Sequence, residues 1–247
     1  MTERPVLSGS PVAGFPVGIL CLRTCHPLLP GNVQNAQSFS TPVLYHAIDV
    51  TEPWALMRGD PALTDIIVAG VQHLASHGVR GVAGACGSFA FYQRAVAERC
   101  DVPVFLSILT QVPFILQSLG PRRKLGVICA VAETMNARVY GECGIRDPHR
   151  LFVVAMRGRP AFDVLIEQNR LPDPARLRAE VLDAAAEICA DPDVGAILLQ
   201  CSELPPYAAD IQARCGLPVF DMTILIRWLS EAADRRPYAG IGAGRAT

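Results

Sequence analysis

Short apolar runs alternate along the chain with segments whose apolar residues recur every three or four positions. The runs predict buried strands, and the recurring pattern predicts helices. Strands are expected at 17–21, 79–85, 102–106, 124–129, 151–155, 195–200 and 218–220, and helices at 64–77, 88–99, 175–190 and 223–233. Thr64 is a suitable N-cap and Gly78 a suitable stop for the first of these helices. Strands that alternate with helices predict a parallel α/β fold.

The pattern occurs twice in the chain. The stretch 82–88 (VAGACGS) matches 197–203 (ILLQCSE), and 99–105 (RCDVPVF) matches 214–220 (RCGLPVF) at the same offset of 115 positions. The run GILC near the N-terminus returns as GVIC after 108 positions, as expected if the first half has a longer loop. We therefore predict two pseudo-symmetric α/β lobes, 1–119 and 120–222, with a C-terminal helix in 223–247 that packs back on the first lobe.

Each copy of the repeat carries a cysteine just beyond a predicted strand, Cys86 in the first and Cys201 in the second. Ligands of parallel sheets bind at the carboxyl ends of the strands, so both thiols are expected to face one cleft between the lobes. Each thiol also precedes a predicted helix start, where free N–H groups are expected to lower its pKa from about 8.5. Ser88 and Ser202 follow the cysteines, and they are expected to cap those helices or to bind a substrate carboxylate.

A second region of interest is the Pro-, Gly- and Asn-rich loop at 24–42, because long loops in compact domains are usually functional. We expect it to act as a lid and to contribute Asn35 as a donor to the substrate carboxylate. Asp221, Thr134 and Asn136 also follow predicted strands. For these three residues a helix N-cap and a substrate contact both remain open.

Composition narrows the class of partner. The chain has 247 residues, 51% of them hydrophobic, a formal net charge of −1 and a pI near 6.5, which argues against nucleic acid or an anionic membrane. A small molecule is the expected ligand, and a homodimer or higher homo-oligomer is plausible. The first 20 residues lack the apolar core of a signal peptide, and nine cysteines in an apolar chain of this size favour reduced thiols in the cytoplasm.

The sequence gives little sign of a metal or a cofactor. Lys124 is the only lysine and begins a predicted strand, a poor position for a Schiff base with pyridoxal phosphate. The Cys and His residues in 21–26 have no matching second cluster, and His73 with His77 lacks the acid of the usual zinc motif. The Gly-rich stretch 239–244 is expected to be a loose tail. We therefore expect no bound metal and no cofactor.

The motifs at 84–88 (GACGS) and 199–205 (LQCSELP) resemble those of the aspartate/glutamate racemase superfamily, and the similarity extends over essentially the whole chain. The resemblance implies a cofactor-independent enzyme with two α/β lobes in which Cys86 and Cys201 are the catalytic pair. It also implies that Ser88 and Ser202 are the hydroxyl residues beside the cysteines. Glu203 matches the Cys-Thr-Glu pattern of aspartate-type racemases, and we count it among the substrate-contacting residues.

Gly87 also belongs to the predicted substrate-binding group, and there the chain departs from the superfamily. Amino-acid racemases of this group usually have Asn directly after the first cysteine, so a contact to the substrate's amino or carboxylate group is expected to be missing. Phe89, Phe91 and Tyr92 follow, either as pocket lining or as the buried face of a helix.

The function implied by the resemblance is racemisation or epimerisation of a small carboxylate, such as aspartate, glutamate or a related compound. One thiolate would remove the α-proton while the opposite thiol returns a proton to the other face. Hydantoin racemase, maleate-type isomerase and decarboxylase activities remain alternatives on the same scaffold, although simple arylmalonate decarboxylases keep only one of the two cysteines. A non-catalytic binding protein with incidental cysteines is the alternative of a different class.

Overall fold

The computed structural model describes residues 12–24, 26–50, 52–167, 171–235 and 237, and within them the chain forms two four-stranded parallel sheets. The first sheet has the order β2-β1-β3-β4, and its strands are β1 (Val17–Leu22), β2 (Val43–Ile48), β3 (Val82–Gly84) and β4 (Val104–Phe105). The second has the order β6-β5-β7-β8, and its strands are β5 (Lys124–Cys129), β6 (Leu151–Ala155), β7 (Val194–Leu199) and β8 (Val219–Phe220).

Helices flank both sheets. In chain order they are α1 (Pro53–Met57), α2 (Thr64–Ser76), α3 (Gln93–Ala97), α4 (Val112–Ser118), α5 (Ala137–Glu142), α6 (Pro160–Glu167), α7 (Pro174–Cys189), α8 (Ala208–Cys215) and α9 (Met222–Ala233). No helix among the described residues is both long and apolar enough to cross a membrane.

The two sheets are built with the same register as well as the same strand order. Gly18 of β1 is opposite Val82 of β3, and Gly126 of β5 is opposite Ile197 of β7, positions that the two offsets of the sequence repeat relate to each other. The pairing of β3 with β4 is repeated by β7 with β8 at the offset of 115. The predicted α/β fold with two pseudo-symmetric lobes is confirmed.

The second sheet is covered on both faces. Ala196 and Leu198 of β7 belong to the core that the first lobe builds, whereas Ile197 and Leu199 face a second core with α7 and α8. Alternate residues of a strand point to opposite faces, so an almost continuous apolar run is what such a strand requires.

Helix α9 packs against the first lobe. Its Trp228 contacts Phe105 edge to face, with ring centroids 5.6 Å apart, and Arg80 donates a hydrogen bond of 2.7 Å to the carbonyl of Ala233. The residues expected to form a tail, 238–247, lie outside the described part of the chain. The division of the chain into 1–119 and 120–222 remains a prediction.

Several predicted elements differ in detail. The run 79–85 forms only the three-residue strand β3, and the predicted helix 88–99 begins as a 3₁₀ helix, Gly87–Tyr92, before α3. Thr64 is the first residue of α2 and not its cap, because a 3₁₀ turn capped by Asp60 leads directly into the helix. Gly78 ends that helix as predicted, with a φ of +84° that favours glycine.

The expectation that all cysteines are reduced is wrong in the structure. Cys189 at the end of α7 and Cys215 at the end of α8 form a disulfide, with Cα atoms 5.9 Å apart. Helices α7 and α8 pack side by side at this point, which brings together two cysteines separated by 26 positions in sequence.

Candidate active site

Cys86 and Cys201 line one cavity of about 110 Å³. Cys86 follows β3 and Cys201 follows β7, each after one intervening residue, and Cys86 occupies the N-cap position of the 3₁₀ helix Gly87–Tyr92. The carboxyl ends of these parallel strands therefore bring the two thiols to the same place from different lobes. Cys86 is partly buried and Cys201 is buried.

Six of the seven predicted site residues line this cavity. They are Cys86, Gly87, Ser88, Cys201, Ser202 and Glu203. Neither serine provides the side-chain cap that we considered for it, because the short 3₁₀ helices after the two cysteines have no side-chain cap. Asp221 and Asn136 do cap helices, α9 and α5 respectively, each by accepting hydrogen bonds from backbone N–H groups.

Asn35 is the predicted site residue that the structure does not bring to the cavity. Its side chain accepts a hydrogen bond from the N–H of Gln37 and donates one to the carbonyl of Leu28, both at 2.8 Å, so it is used to hold the loop together. Asn32 of this loop does reach the site: it is 1% exposed and donates a hydrogen bond of 2.7 Å from Nδ2 to Oε2 of Glu203. Nothing in the sequence distinguishes Asn32 from Asn35 as the loop amide that contacts the site.

His26, on the same loop, is the functional candidate that sequence reasoning missed. Its side chain is 6% exposed and lines the cavity, with Nε2 placed 3.3 Å from Oε2 of Glu203. Neither ring nitrogen has a hydrogen-bond partner, so this approach does not have the geometry of a hydrogen bond. We considered this residue only as part of a cluster of metal ligands, and the described residues contain no group of three or more side chains that fits a metal ion.

The surroundings of Cys86 contain groups that raise the pKa of its thiol and groups that lower it. Burial raises the pKa of its thiol, and the charge of Glu203 adds to this increase. Hydrogen bonds from the backbone N–H groups of Ser88 and Phe89 and from the hydroxyl of Ser88 lower the pKa. The net direction is upward, so the expectation of a lowered thiol pKa is wrong: desolvation outweighs the local donors.

Cys201 has fewer compensating contacts. Burial raises the pKa of its thiol well above its usual value, the charges of Glu203 and Cys86 raise it further, and the backbone N–H of Glu203 opposes the increase. Cys86 has three donors to sulfur where Cys201 has one. When the pair loses one proton, the thiolate is therefore better stabilised on Cys86, with Cys201 as the protonated thiol.

Gly87 and Gln200 join the two cysteine loops. A Cβ atom on Gly87 would lie 2.2 Å from Nε2 and 2.5 Å from the backbone oxygen of Gln200, which is too close for any side chain. Gln200 is 5% exposed, and it occupies the space beside the residue that follows Cys86. The glycine is therefore required by the close approach of the second lobe.

A second cavity of about 150 Å³ adjoins the first and shares His26, Leu165 and Glu203 with it. Its remaining lining is largely apolar and includes Leu177 and Tyr207. The loop at 24–42 forms one wall of both cavities, since it contributes His26 and Asn32. Whether this loop moves as a lid remains a prediction.

The family model for Asp/Glu/Hydantoin racemase matches residues 33–228. The chain belongs to this family. The match includes both cysteine loops and seven of the eight strands of the described chain in full. The residues that identify the family are therefore also those that form most of the two lobes.

The curated relatives of the chain include lyases. The chain is 28% identical to dimethylsulfoniopropionate lyase 7 of Emiliania huxleyi (strain CCMP1516) over 238 residues, covering 91% of this chain and 69% of that protein. It is also 28% identical to a dimethylsulfoniopropionate lyase of Durusdinium sp. clade D, covering 87% of this chain and 74% of that protein.

Two solved structures share the fold. A glutamate racemase of Bacillus anthracis has a TM-score of 0.56 at 16% identity and covers 88% of this chain and 82% of its own. Unliganded arylmalonate decarboxylase has a TM-score of 0.56 at 18% identity and covers 93% and 97% of the two chains. At these identities the likeness concerns the fold alone.

Proposed function

We propose that the protein is a cofactor-independent enzyme that removes the proton from the carbon next to the carboxylate of a small acid, with Cys86 and Cys201 as the two acid–base groups. Returning a proton to the opposite face makes it a racemase or epimerase. The observation that carries the proposal is that one thiol from each lobe lines the same cavity, with hydroxyl and backbone donors beside them.

In the proposed step the Cys86 thiolate takes the α-proton and becomes a thiol. The electron pair of the broken C–H bond moves onto the substrate carboxylate. There the hydroxyl of Ser202 donates a hydrogen bond to the added charge, and the hydroxyl of Ser88 turns to it from the Cys86 sulfur once that sulfur has taken the proton. The Cys201 thiol then gives its proton to the other face and becomes the thiolate. The roles reverse for the other enantiomer, which the pseudo-symmetry of the two loops permits.

β-Elimination is the second candidate, and it begins with the same loss of the α-proton. The electron pair then forms a carbon–carbon double bond while a group leaves the β-carbon, so the second thiol need not deliver a proton. Two observations favour it: relatives at 28% identity are dimethylsulfoniopropionate lyases, and Gly87 replaces the Asn usual in amino-acid racemases. The latter reduces the contacts available to an α-amino group.

The test is proton NMR in deuterium oxide with wild type, Cys86→Ser and Cys201→Ser. The panel contains neutral and acidic amino acids, a hydantoin, an arylmalonate and 3-(dimethylsulfonio)propionate. Cys100→Ser is the matched control, because Cys100 is also a partly buried free cysteine of the first lobe but lies outside the cavity.

Exchange of the α-proton for deuterium with loss of optical activity supports racemisation. Release of an alkene product supports elimination. In both cases Cys86→Ser should lose at least about 100-fold in rate, as expected for a missing acid–base group, while Cys100→Ser retains activity. Activity that survives both cysteine substitutions would refute the proposal.

A further inference from the structure

Gln200 stands between the two cysteine loops. It directly precedes Cys201, and its backbone N–H donates a hydrogen bond of 2.9 Å to the carbonyl of Ile128, so the second sheet fixes its position. Its side chain extends to the first lobe, where Nε2 lies 2.2 Å from the position that a Cβ atom on Gly87 would take. Gly87 directly follows Cys86. One side-chain amide therefore lies beside both cysteine loops.

The side-chain amide of Gln200 lacks a partner in the described protein. The residue is only 5% exposed, and none of the described residues forms a hydrogen bond with its amide group. The amide is not completely covered by protein, and the open space beside Gln200 is the cavity with the two thiols and a neighbouring space of about 10 Å³. A buried amide without a partner is unfavourable, because it has lost its hydrogen bonds to water. We therefore expect its partner to be bound in the cavity.

Packing of the two lobes does not account for an amide at this position. The contact with Gly87 needs a side chain of suitable size, and a methionine would fill the same space without an unpaired polar group. The amide nitrogen of an Asn side chain is two bonds from its Cβ, so Nε2 of Gln200, at 2.2 Å, lies where an Asn at position 87 would place its own amide. The second lobe thus supplies an amide to a space that the first lobe leaves to glycine.

The proposed reaction needs a hydrogen-bond donor in this space. The reacting carbon lies between the two sulfur atoms and is bonded directly to the carboxylate, so a group between the two cysteine loops can reach that carboxylate. The carboxylate gains negative charge as the α-proton leaves, and donors that are already in place stabilise this charge most effectively. A side-chain amide carries two N–H donors on Nε2, and a carboxylate only accepts hydrogen bonds.

We propose that Gln200 is a substrate-binding residue whose side-chain amide donates a hydrogen bond to the substrate carboxylate and stabilises the charge that develops there. The inference rests on the proposed function, since the two thiols define the position of the reacting carbon. It applies equally to racemisation and to β-elimination, because both begin with the loss of the α-proton. Gln200 then has two roles, since it packs against Gly87 and binds the substrate at the same contact.

The first experiment measures turnover of the acid that proves active in the proton NMR panel. Gln200→Met nearly keeps the volume of the side chain and removes the amide, and Gln212→Met is the matched control on the exposed surface of α8 in the same lobe. We expect Gln200→Met to lower kcat by about 100-fold, as for the loss of one donor to a developing oxyanion, with a smaller change in KM. Gln212→Met should retain both values.

The second experiment moves the amide to the other lobe. In Gln200→Gly protein the contact has space for a side chain at position 87, where Gly87→Asn introduces an amide and Gly87→Leu an apolar group of the same shape. The double variant with Gly87→Asn should be at least about ten-fold more active than the one with Gly87→Leu, because only the former restores a donor. Urea unfolding shows whether the two double variants are equally stable.

A third experiment tests binding without turnover. Isothermal titration calorimetry compares phenylacetate, 4-methylpentanoate and lactate with their primary amides, which have the same shape and no charge. Wild type should bind at least one acid about ten-fold more tightly than its amide, and Gln200→Met should remove that preference, as expected for one hydrogen bond to a charged group. An unchanged preference, a failure of every acid to bind, an unchanged kcat, or equal rates of the two double variants would each overturn the inference.

The outcome is separable from that of the proposed function. A carboxylate preference that depends on Gln200, in a protein that exchanges no α-proton, would support this binding site and refute the proton-transfer chemistry. Exchange of an α-proton at the same rate in wild type and in Gln200→Met would support the chemistry and refute the role of Gln200.

Discussion

Position 87 lies both in the candidate site and at the contact between the two lobes, and the contact leaves room only for glycine. Its α-carbon lies against Gln200 so closely that the Asn found at this position in amino-acid racemases cannot be accommodated without moving the second lobe's cysteine loop. At this position the structure therefore has an inter-lobe contact where the resemblance leads one to expect an Asn.

We expect Gly87→Ala to lower the free energy of unfolding by about 1–3 kcal/mol, because the added methyl group overlaps Gln200 and forces a shift in a packed region. Urea unfolding measures the effect. Gly141→Ala is the control, since its Cβ would meet nothing within 4 Å and glycine inside a helix is unfavourable relative to alanine. A Gly87→Ala protein as stable as wild type would contradict the packing argument.

The two thiols should differ in reactivity. Cys86 has three hydrogen-bond donors to its sulfur and Cys201 one, so iodoacetamide should modify Cys86 first. Because both thiol pKa values are raised, labelling should be slow at neutral pH and increase above pH 9. Peptide mass spectrometry gives the order.

Ser88→Ala provides the check on this assignment. It removes one donor to the Cys86 sulfur, so the pKa of that thiol should rise and its labelling should become slower, with Cys201 little affected. If Cys201 reacts first in wild type, the thiolate has been assigned to the wrong lobe.

At the scale of elements, the apolar runs predicted seven of the eight strands of the described chain, and β2 (Val43–Ile48) was not predicted. The run 124–129 coincides with β5, because a central strand buried on both faces needs apolar residues along nearly its whole length. The predicted helix 88–99 was less accurate: it opens with six residues of 3₁₀ helix, of which Phe89 to Tyr92 are all buried. A run of consecutive apolar residues has no period that distinguishes a 3₁₀ helix from an α-helix. Packing against the neighbouring elements therefore determined the type of helix.

The disulfide between α7 and α8 gives a prediction about redox state. Titration of the denatured protein should find two more free thiols after reduction than before it. Reduction, or the paired substitution Cys189→Ser with Cys215→Ser, should lower the free energy of unfolding by roughly 3 kcal/mol, because a cross-link over 26 positions limits the unfolded chain. Equal numbers before and after reduction would show that the pair stays reduced.

The whole molecule buries several thiols, and this makes its stability depend on pH. Burial raises the pKa of Cys21 to about 11 and the pKa values of Cys129 and Cys143 to about 12 each. In the unfolded chain these thiols ionise near pH 9, whereas in the folded protein they keep their protons. The unfolded state therefore binds fewer protons above pH 9, and stability is lost as the pH rises through that range.

We expect the midpoint of urea unfolding to be nearly constant from pH 7 to 8 and to fall steadily between pH 9 and pH 11. Cys143→Ala should reduce the slope, because it removes one buried thiol, even though the variant starts from a lower stability. A midpoint unchanged at pH 10 would mean that these thiols ionise alike in the folded and unfolded states. Circular dichroism at each pH distinguishes unfolding from aggregation.

The candidate site could be predicted only in part. The cysteine loops follow from local rules, since a thiol after an apolar strand lies at the ligand-binding edge of a parallel sheet wherever the strand is placed. Asn32 and His26 follow from no local rule, because they lie in an irregular loop whose path is set by contacts with Glu203. The sequence analysis selected Asn35 from this loop instead, and the side chain of Asn35 forms its hydrogen bonds within the loop.

The sequence by itself determined the duplicated α/β architecture, the register shared by the two sheets and the arrival of one thiol from each lobe at a common edge. These properties depend on the period of apolar positions and on an internal repeat, both of which are encoded locally. Only the tertiary structure decided the charge of the site. Desolvation raised the thiol pKa values against the expectation from helix starts, and the loop at 24–42 brought Asn32 and His26 to the carboxylate of Glu203. Both effects depend on which distant residues surround a group, and a linear pattern does not contain that information.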